Sequence, residues 1–397
     1  MYTWRRYAAA ILLAGAWARP AAAQFGVSGE ATATFGTHDD IAFFNYTDYE
    51  HNALRMFRLS LAGMWRPTER LAFLGEVRSE DVQDVVPYAL YVRVRPFKGR
   101  AFDIQAGRIP PVFGAFPRRG YGVDANPLIG YPLAYQYLTS LRPDAIPANA
   151  DDLLAMRARG WRSNFPVGSA TQAPGVPLVS AYRWDTGVEG HAAFSKFEVA
   201  AALTTGTLAN PRVDDDNGGR QIAGRVAWKP ITGLVVGGSA ARGEFLTRAI
   251  ADTYEPLFGH RSYAQRTYGV DVEYSRGYLL IRGESIASRF DLPKLNIPFI
   301  GAPLGSRGTF VEARYRLSPR YYVAARVDQL TFSKIRGERL FGGQEMPWDA
   351  PVRRIEAGGG FYLLRSLVAR AVVQHNWRDA GRVRERTFVS GQVSFTF

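Results

Sequence analysis

The feature that most constrains the fold is the way the connections between strand-like segments alternate in length. Sixteen segments alternate apolar and polar residues with period two, near 26–35, 55–65, 71–78, 87–95, 101–108, 184–194, 196–205, 220–228, 233–243, 264–274, 277–287, 308–317, 320–330, 353–363, 367–376 and 386–397. The links after odd-numbered segments are long: 36–54, 79–86, 109–183, 206–219, 244–263, 288–307, 331–352 and 377–385. Those after even-numbered segments are tight: 66–70, 96–100, Ser195, 229–232, 275–276, 318–319 and 364–366. A soluble sandwich has no reason to gather its long loops at one end. A barrel whose strands cross a membrane up and down does. The expected fold is therefore all-β: a transmembrane up-and-down antiparallel β-barrel of about 16 strands, with a long third loop that folds into the pore.

The strands support this. A tilted spanning strand needs roughly 9–11 residues, and in hydrocarbon every backbone donor and acceptor must be paired, so the sheet has to close. In 311–317, Val311, Ala313, Tyr315 and Leu317 oppose Glu312, Arg314 and Arg316. In 387–397, Thr387, Val389, Gly391, Val393, Phe395 and Phe397 oppose Phe388, Ser390, Gln392, Ser394 and Thr396. Trp65, Trp184, Phe194, Trp228, Tyr274, Tyr315, Phe361 and Phe395 fall near strand ends on the apolar face, where interfacial girdles are expected. No fixed-period repeat points to a solenoid or propeller. After the N-terminus no apolar stretch is long enough for a spanning helix.

If the apolar faces meet lipid, the others line a lumen. Arg58, Arg93, Arg95, Arg225, Arg314, Arg316 and Arg326 then form a cationic pore wall, together with Arg78, Arg282, Arg354 and Arg370. Glu30, Glu76, Asp103, Asp185, Glu189, Glu198, Asp271, Glu273, Glu284, Glu312, Asp328 and Glu356 nearly balance them, and cross-strand pairing is expected for each. The 109–183 loop is longer than a connection needs. A barrel of this size leaves an aqueous channel that an inward loop would narrow. Arg118, Arg119, Arg142, Arg157, Arg159 and Arg162 are its candidates for a positive constriction, and Arg108 for holding its entry. The loop's aromatics could instead stack on sugar rings, or the whole loop could pack outside as a lid or subunit contact.

Residues 1–23 read as a secretory signal peptide, with Arg5 and Arg6, an apolar stretch to Ala18, and Ala21-Ala22-Ala23 before Gln24; the barrel then spans 24–397. The absence of cysteine excludes disulfide frameworks, thiolate metal sites and thiol nucleophiles. The basic residues, 44 Arg and five Lys, are scattered rather than run together, so no nucleic-acid partner is expected. The five histidines show no metal-ligand spacing, and Asp214-Asp215-Asp216-Asn217-Gly218-Gly219 lacks the distal acid of a calcium loop, reading instead as an exposed turn. No metal site or cofactor is expected.

Two patches resemble a known family. The closing Val393-Ser394-Phe395-Thr396-Phe397 looks like the assembly signature of bacterial outer-membrane barrels. The stretch Tyr91-Val92-Arg93-Val94-Arg95-Pro96-Phe97 with Gln105-Ala106-Gly107-Arg108-Ile109-Pro110-Pro111-Val112-Phe113-Gly114 resembles the Gram-negative porin superfamily, in particular phosphate-selective porin O/P-like proteins, where a strand ending in Gly-Arg and a Pro-x-Phe-Gly turn enters the pore loop. The resemblance implies a porin of the bacterial outer membrane, passing small hydrophilic solutes by diffusion with a weak preference for anions. Implied partners are outer-membrane lipid and lipopolysaccharide, small hydrophilic or anionic solutes, the barrel assembly machinery through the Phe397 strand, and further copies in a homotrimer. Because the wall charges are nearly balanced, a phosphate ladder is not evident. The alternatives are a barrel transporter for sugars or hydrophobic solutes and a barrel hydrolase. With no nucleophile elbow or nucleotide loop in the sequence, an enzyme is not expected.

Overall fold

The computed structural model describes residues 24–39, 42–46, 52–82, 85–99, 101–116, 126–158, 167–168, 175–181, 183–212, 218–250, 252, 263–292 and 303–397. The expected signal segment 1–23 and the Asp214–Asn217 turn lie outside them. Sixteen strands close into one antiparallel barrel. They are β1 (Gln24–Gly36), β2 (Phe57–Thr68), β3 (Leu71–Glu80), β4 (Val85–Val94), β5 (Phe102–Ile109), β6 (Asp185–Phe194), β7 (Phe197–Thr204), β8 (Gln221–Trp228), β9 (Leu234–Glu244), β10 (Ala264–Arg276), β11 (Leu279–Phe290), β12 (Leu304–Arg316), β13 (Tyr321–Phe332), β14 (Val352–Leu364), β15 (Leu367–Arg378) and β16 (Glu385–Thr396). Each corresponds to one of the sixteen alternating segments, displaced at its ends by a few residues at most.

Closure is made by β1 against β16, from Glu30 opposite Thr396 to Gly36 opposite Ser390. Beyond the ladder, Gly29 and Phe397 exchange both backbone hydrogen bonds, at 2.9 and 3.0 Å. The terminal aromatic thus completes the seam and leaves β1 no open edge there. Outside, Leu59, Leu61, Val270, Val311, Val327 and Ile355 are exposed, while their sequence neighbours Arg58, Asp271, Glu312, Arg326, Asp328, Arg354 and Glu356 are buried inside. Period-two alternation therefore separates lipid-facing from lumen-facing residues, as a membrane barrel requires.

The aromatic girdle gathers at the short-turn end as stacked exterior pairs: Trp65 with Phe73, Phe194 with Phe197, Tyr321 with Phe361, and Phe395 with Phe397. Trp184 departs from the expectation. It precedes β6, sits against Tyr88 and Tyr91, and lines a cavity inside the barrel. The cause is a bulge in β4: Glu76 faces Ala89 but Val77 faces Pro87, leaving Tyr88 as the extra residue. Proline cannot donate to a ladder and favours such a position. Tyr88 turns inward, where the Arg78 guanidinium lies 3.5 Å from its ring centre.

Gly107 shows why the Gly-Arg pair ends β5. Its φ is +127°, and a Cβ there would lie 2.3 Å from the Leu90 carbonyl oxygen. Only glycine fits this backbone and this approach. Gly107→Val is expected to cost about 2–4 kcal/mol, read as an earlier denaturant midpoint and loss of heat-modifiable gel mobility. A midpoint equal to that of the parent would show that β4 and β5 tolerate separation.

Candidate functional site: the loop-filled lumen

The connection between β5 and β6 runs through the barrel. It enters by the Pro111-Val112-Phe113-Gly114 turn, where Gly114 takes φ +59° and its amide donates to Ser239 Oγ of β9 at 3.0 Å. A side chain at Gly114 would strike Glu284 Oε1, 2.1 Å from the Cβ position. Phe113 seats its ring over Gly269 of β10, which has no Cβ to obstruct it. A first short helix, α1 (Leu133–Gln136), is buried throughout. A second, α2 (Ala150–Ala155), is capped by Asn149, whose side chain accepts from the Asp152 amide at 2.9 Å.

Phe113, Phe116, Leu128, Leu133, Tyr135, Leu153 and Leu154 join Phe44 and Leu54 of the first loop, and Phe245, Phe290 and Phe310 near the wall, in one apolar cluster. The core of the molecule therefore lies within the barrel, formed by loops packed on the inward faces of strands. A sheet whose apolar face is given to lipid can bury such residues only there.

Polar groups of the wall bind the loop backbone. Glu273, Arg282, Glu312, Arg326 and Glu356 stand opposite one another in register from β10 to β14, with charge alternating in sign. Arg282 meets Glu312 at 2.6 Å, and Arg326 meets Glu312 at 3.1 Å, Asp328 at 3.0 Å and Glu356 at 2.6 Å. From this row, Arg326 donates to the Gly130 carbonyl at 2.7 Å, and Glu356 accepts from the amides of Ile129 and Gly130 at 3.2 and 2.9 Å. One row above, Arg354 donates to the Tyr131 carbonyl at 3.2 Å and the Phe44 carbonyl at 2.7 Å. Arg370 donates to the carbonyls of Asn126 and Leu128, Tyr322 to that of Pro127, and Tyr135 donates to Glu284. A stretch with almost no secondary structure thus has its buried backbone met by side chains of β13 to β15.

External loops close over the same structure. Asp349 accepts from the amides of Ser140 and Ala158 at 2.7 and 2.8 Å, and Asp151 accepts from those of Glu338 and Leu340 at 2.6 and 2.9 Å. A cavity of about 410 Å³ remains, lined by Met64, Leu74, Glu76, Tyr91 and Trp184 among others.

The expected site residues distribute as follows. Arg142 is buried and bidentate to Asp144, at 2.9 and 2.7 Å; Arg157 pairs with Asp379 at 3.0 Å. Arg118, Arg119, Arg159 and Arg162 lie outside the described residues. Of the wall set, Arg58 pairs with Glu80 and donates to Tyr131 Oη, and Arg225 reaches across β9 to Asp271 at 2.6 Å. Arg326 is fully enclosed. Arg93 and Arg314 are half-buried toward the short-turn end, with Arg95 and Arg316 exposed at that mouth. Arg108 donates to the Pro87 carbonyl and so fastens the β4 bulge beside the loop entry. The loop anchors Arg354, Arg370, Glu356, Ser239 and Asp349 were not singled out for that role by sequence. Alternation placed Arg354, Arg370 and Glu356 inside, but nothing in it showed what they would bind. Among the described residues no cluster of ligating side chains could hold a metal ion.

No family model and no curated relative matches the chain. Solved structures do. The anion-selective porin from Comamonas acidovorans aligns over 94% of this chain and 100% of its own, with 12% identity and a TM-score of 0.56. Salmonella typhi OmpF, solved with daunomycin, aligns over 94% and 98%, with 11% identity and a TM-score of 0.56. The trimer form of Vibrio cholerae OmpT aligns over 95% and 100%, with 11% identity and a TM-score of 0.55. The chain has the fold of bacterial outer-membrane porins. Its apolar outer belt is the kind of surface that a membrane-spanning barrel of this fold presents to lipid.

Two measurements test how the loop is held. Arg326→Leu removes the cation shared by Glu312, Asp328 and Glu356, leaving Glu312 only Arg282 and Glu356 only neutral donors, and should cost about 3–5 kcal/mol, whereas adding Glu356→Leu should recover part of the loss; simple additivity of the two changes would separate the pair. The second concerns Asp39, which lies beyond β1 and accepts from the Asn45 amide at 2.7 Å. Burial pushes its carboxyl up from 3.8 to about 6, against the opposing pull of the Asn45 and Phe44 amides and of Arg354. The folded chain then holds this proton more tightly than the unfolded one, so stability should fall as pH rises from about 4 to 6 and level off above. Asp39→Asn should be the more stable protein at pH 7–8 and converge with the parent near pH 4. Parallel melting curves across this range would contradict that assignment.

Proposed function

We propose that the protein is a non-catalytic outer-membrane channel through which small hydrophilic solutes diffuse, with a narrow bore and a weak preference for anions. The observation that carries this reading is the long third loop, folded inward and fastened to the far wall. Sixteen strands alone leave an aqueous channel, and a loop pinned across it limits what passes by size. The preference is weak because the best-placed wall cations are neutralised: Arg58, Arg225, Arg282 and Arg326 each face a carboxylate. Arg93, Arg95 and Arg316 at the short-turn half, and Arg118, Arg119, Arg159 and Arg162 of the loop, which lie outside the described residues, are the charges proposed to bias permeation. A phosphate-selective role of the O/P kind would need an unpaired cationic ladder, so general anion passage is the better supported form. The trimer form of the OmpT neighbour favours a homotrimer here as well.

Single-channel recording of the refolded chain in a planar bilayer under a salt gradient tests the proposal. Stepwise conductance below that of an open sixteen-stranded channel, with a reversal potential favouring anions, is expected. Replacing Arg118, Arg119, Arg159 and Arg162 by Gln should move the potential toward cations. A silent bilayer with a folded barrel would overturn the channel, and an unmoved potential would remove the loop arginines from selectivity.

A further inference from the structure

The wall that fastens the loop backbone belongs to β13, β14 and β15, and the inward face of β1 to β4 is built differently. Met64, Leu74 and Tyr91 stand opposite one another in one inward row of β2, β3 and β4, with Gly26 of β1 facing Met64 from the other side. The next inward row is Ser28, Ala62, Glu76 and Ala89, small residues around one carboxylate. Small residues leave a hollow beside the bulky row, and the cavity of about 410 Å³ lies there. At its β1 edge, a Cβ on Gly26 would meet only the terminal methyl of Met64, at 4.0 Å. Of the connection between β5 and β6, only Trp184 reaches the lining.

Two features decide what could occupy this space. The first is its aromatic side. The Trp184 ring lies 6.3 Å from that of Tyr91 and 5.2 Å from that of Tyr88, tilted to both. A flat ring entering the cavity therefore meets aromatic and thioether surface, contacts that favour another ring. The second is charge. Glu76 is the one charged residue of the lining, and it already accepts from Ser60 Oγ at 2.8 Å and Arg78 Nε at 2.7 Å. It offers a cationic solute no open pair. Arg93 follows Tyr91 by two residues on the same face, about 6.8 Å along the strand. It is half-buried, opposite Ala72 of β3 and Gln105 of β5. Among the described residues, none forms an ion pair with it.

We infer that this cavity, with Arg93 at its edge, is a binding subsite for a small aromatic carboxylate. The ring would lie against Trp184, Tyr91, Met64 and Leu74, and the carboxylate would pair with the Arg93 guanidinium. The inference rests on the channel reading and names a solute class for it. Small-ligand sites are commonly concave and mostly apolar, with a few charged or polar groups that fix orientation. A guanidinium holds a carboxylate through two parallel hydrogen bonds, which would set the ring toward the aromatic side.

The test uses the refolded full chain in neutral detergent, with benzoate as the probe and equilibrium dialysis at neutral pH as the readout. Benzoate should bind saturably, and acetate, benzamide and benzylammonium should each compete about tenfold more weakly or worse. Arg93→Gln should lower the affinity on the order of 30-fold. Arg93→Lys, which keeps the charge without the fork, should fall between that variant and the parent. Gly26→Leu, which grows into the cavity with Arg93 intact, should abolish binding. Unchanged affinity in Arg93→Gln or in Gly26→Leu would overturn the inference. Equal competition by acetate, the mark of a plain anion site, or by benzamide, the mark of an apolar pocket indifferent to charge, would overturn it too. Heat-modifiable gel mobility confirms the barrel in each variant. Conductance recorded on the same preparations keeps the two readings apart: a conducting chain that binds no benzoate loses only the subsite, and a silent chain that binds it loses only the channel.

Discussion

Closure of the sheet is the constraint from which the rest of the molecule follows. A strand in hydrocarbon cannot leave an amide or carbonyl unpaired, so β1 must meet β16, and the last two bonds are made by Phe397 with Gly29. Once closed, the sheet has one face in lipid and one in the lumen, and each side chain's environment is fixed by whether its position is odd or even along the strand. A guanidinium facing lipid at the midplane would cost about 2–4 kcal/mol. Charges therefore collect inside, where antiparallel register brings them opposite one another. The alternating row from Glu273 to Glu356 is the product of those two rules.

That row makes an inward loop affordable to the fold. Residues 126–131 carry no regular secondary structure, and enclosing a backbone of that kind without partners costs about 1–3 kcal/mol for each unsatisfied group. Arg326, Arg354, Arg370 and Glu356 supply the missing donors and acceptors from the wall. Each wall charge is also bound to another wall group, Arg354 to Asn376 at 2.7 Å, for example, so the loop docks on a network already in place. The inward glycines complete the fit, since Phe113 lies where a side chain at Gly269 would stand.

How much of this was readable in the sequence depends on the range of the interaction. All sixteen strands were, because alternation is local, and so were the two ends of the barrel, because loop length is local too. The identity of the inward residues followed: Arg326, Glu312, Glu356 and Arg282 were all assigned to the lumen. Their partners in the loop were not legible, because Glu356 and Gly130 are separated by 226 residues and meet only once the barrel exists. Trp184 was misplaced for a related reason. It precedes the first paired residue of β6, where strand parity no longer governs direction, and the β4 bulge had already turned Tyr88 toward it. The Pro-x-Phe-Gly turn was recognised as a pattern, and its physical content is the left-handed Gly114 beside Glu284.

The arginine-rich composition takes on different meanings at different depths. Within the barrel a guanidinium next to a carboxylate adds little net field, so Arg225 with Asp271 or Arg282 with Glu312 position the structure more than they attract solutes. Counting inward arginines therefore overstates the cationic character of the lumen; the quantity that matters for a permeating ion is the charge left after pairing. On the outer rim Arg242, Arg266 and Arg289 stand in register with one another, an arrangement that cross-strand energetics disfavour, and Asp291 pairs with Arg266 at 3.0 Å. A chain using 44 arginines and five lysines suits the paired wall, because a planar fork binds carboxylates through parallel hydrogen bonds, as Arg225 does with Asp271. Parity decides which side of the sheet an arginine serves, and register decides whether a carboxylate of the chain's own stands opposite it.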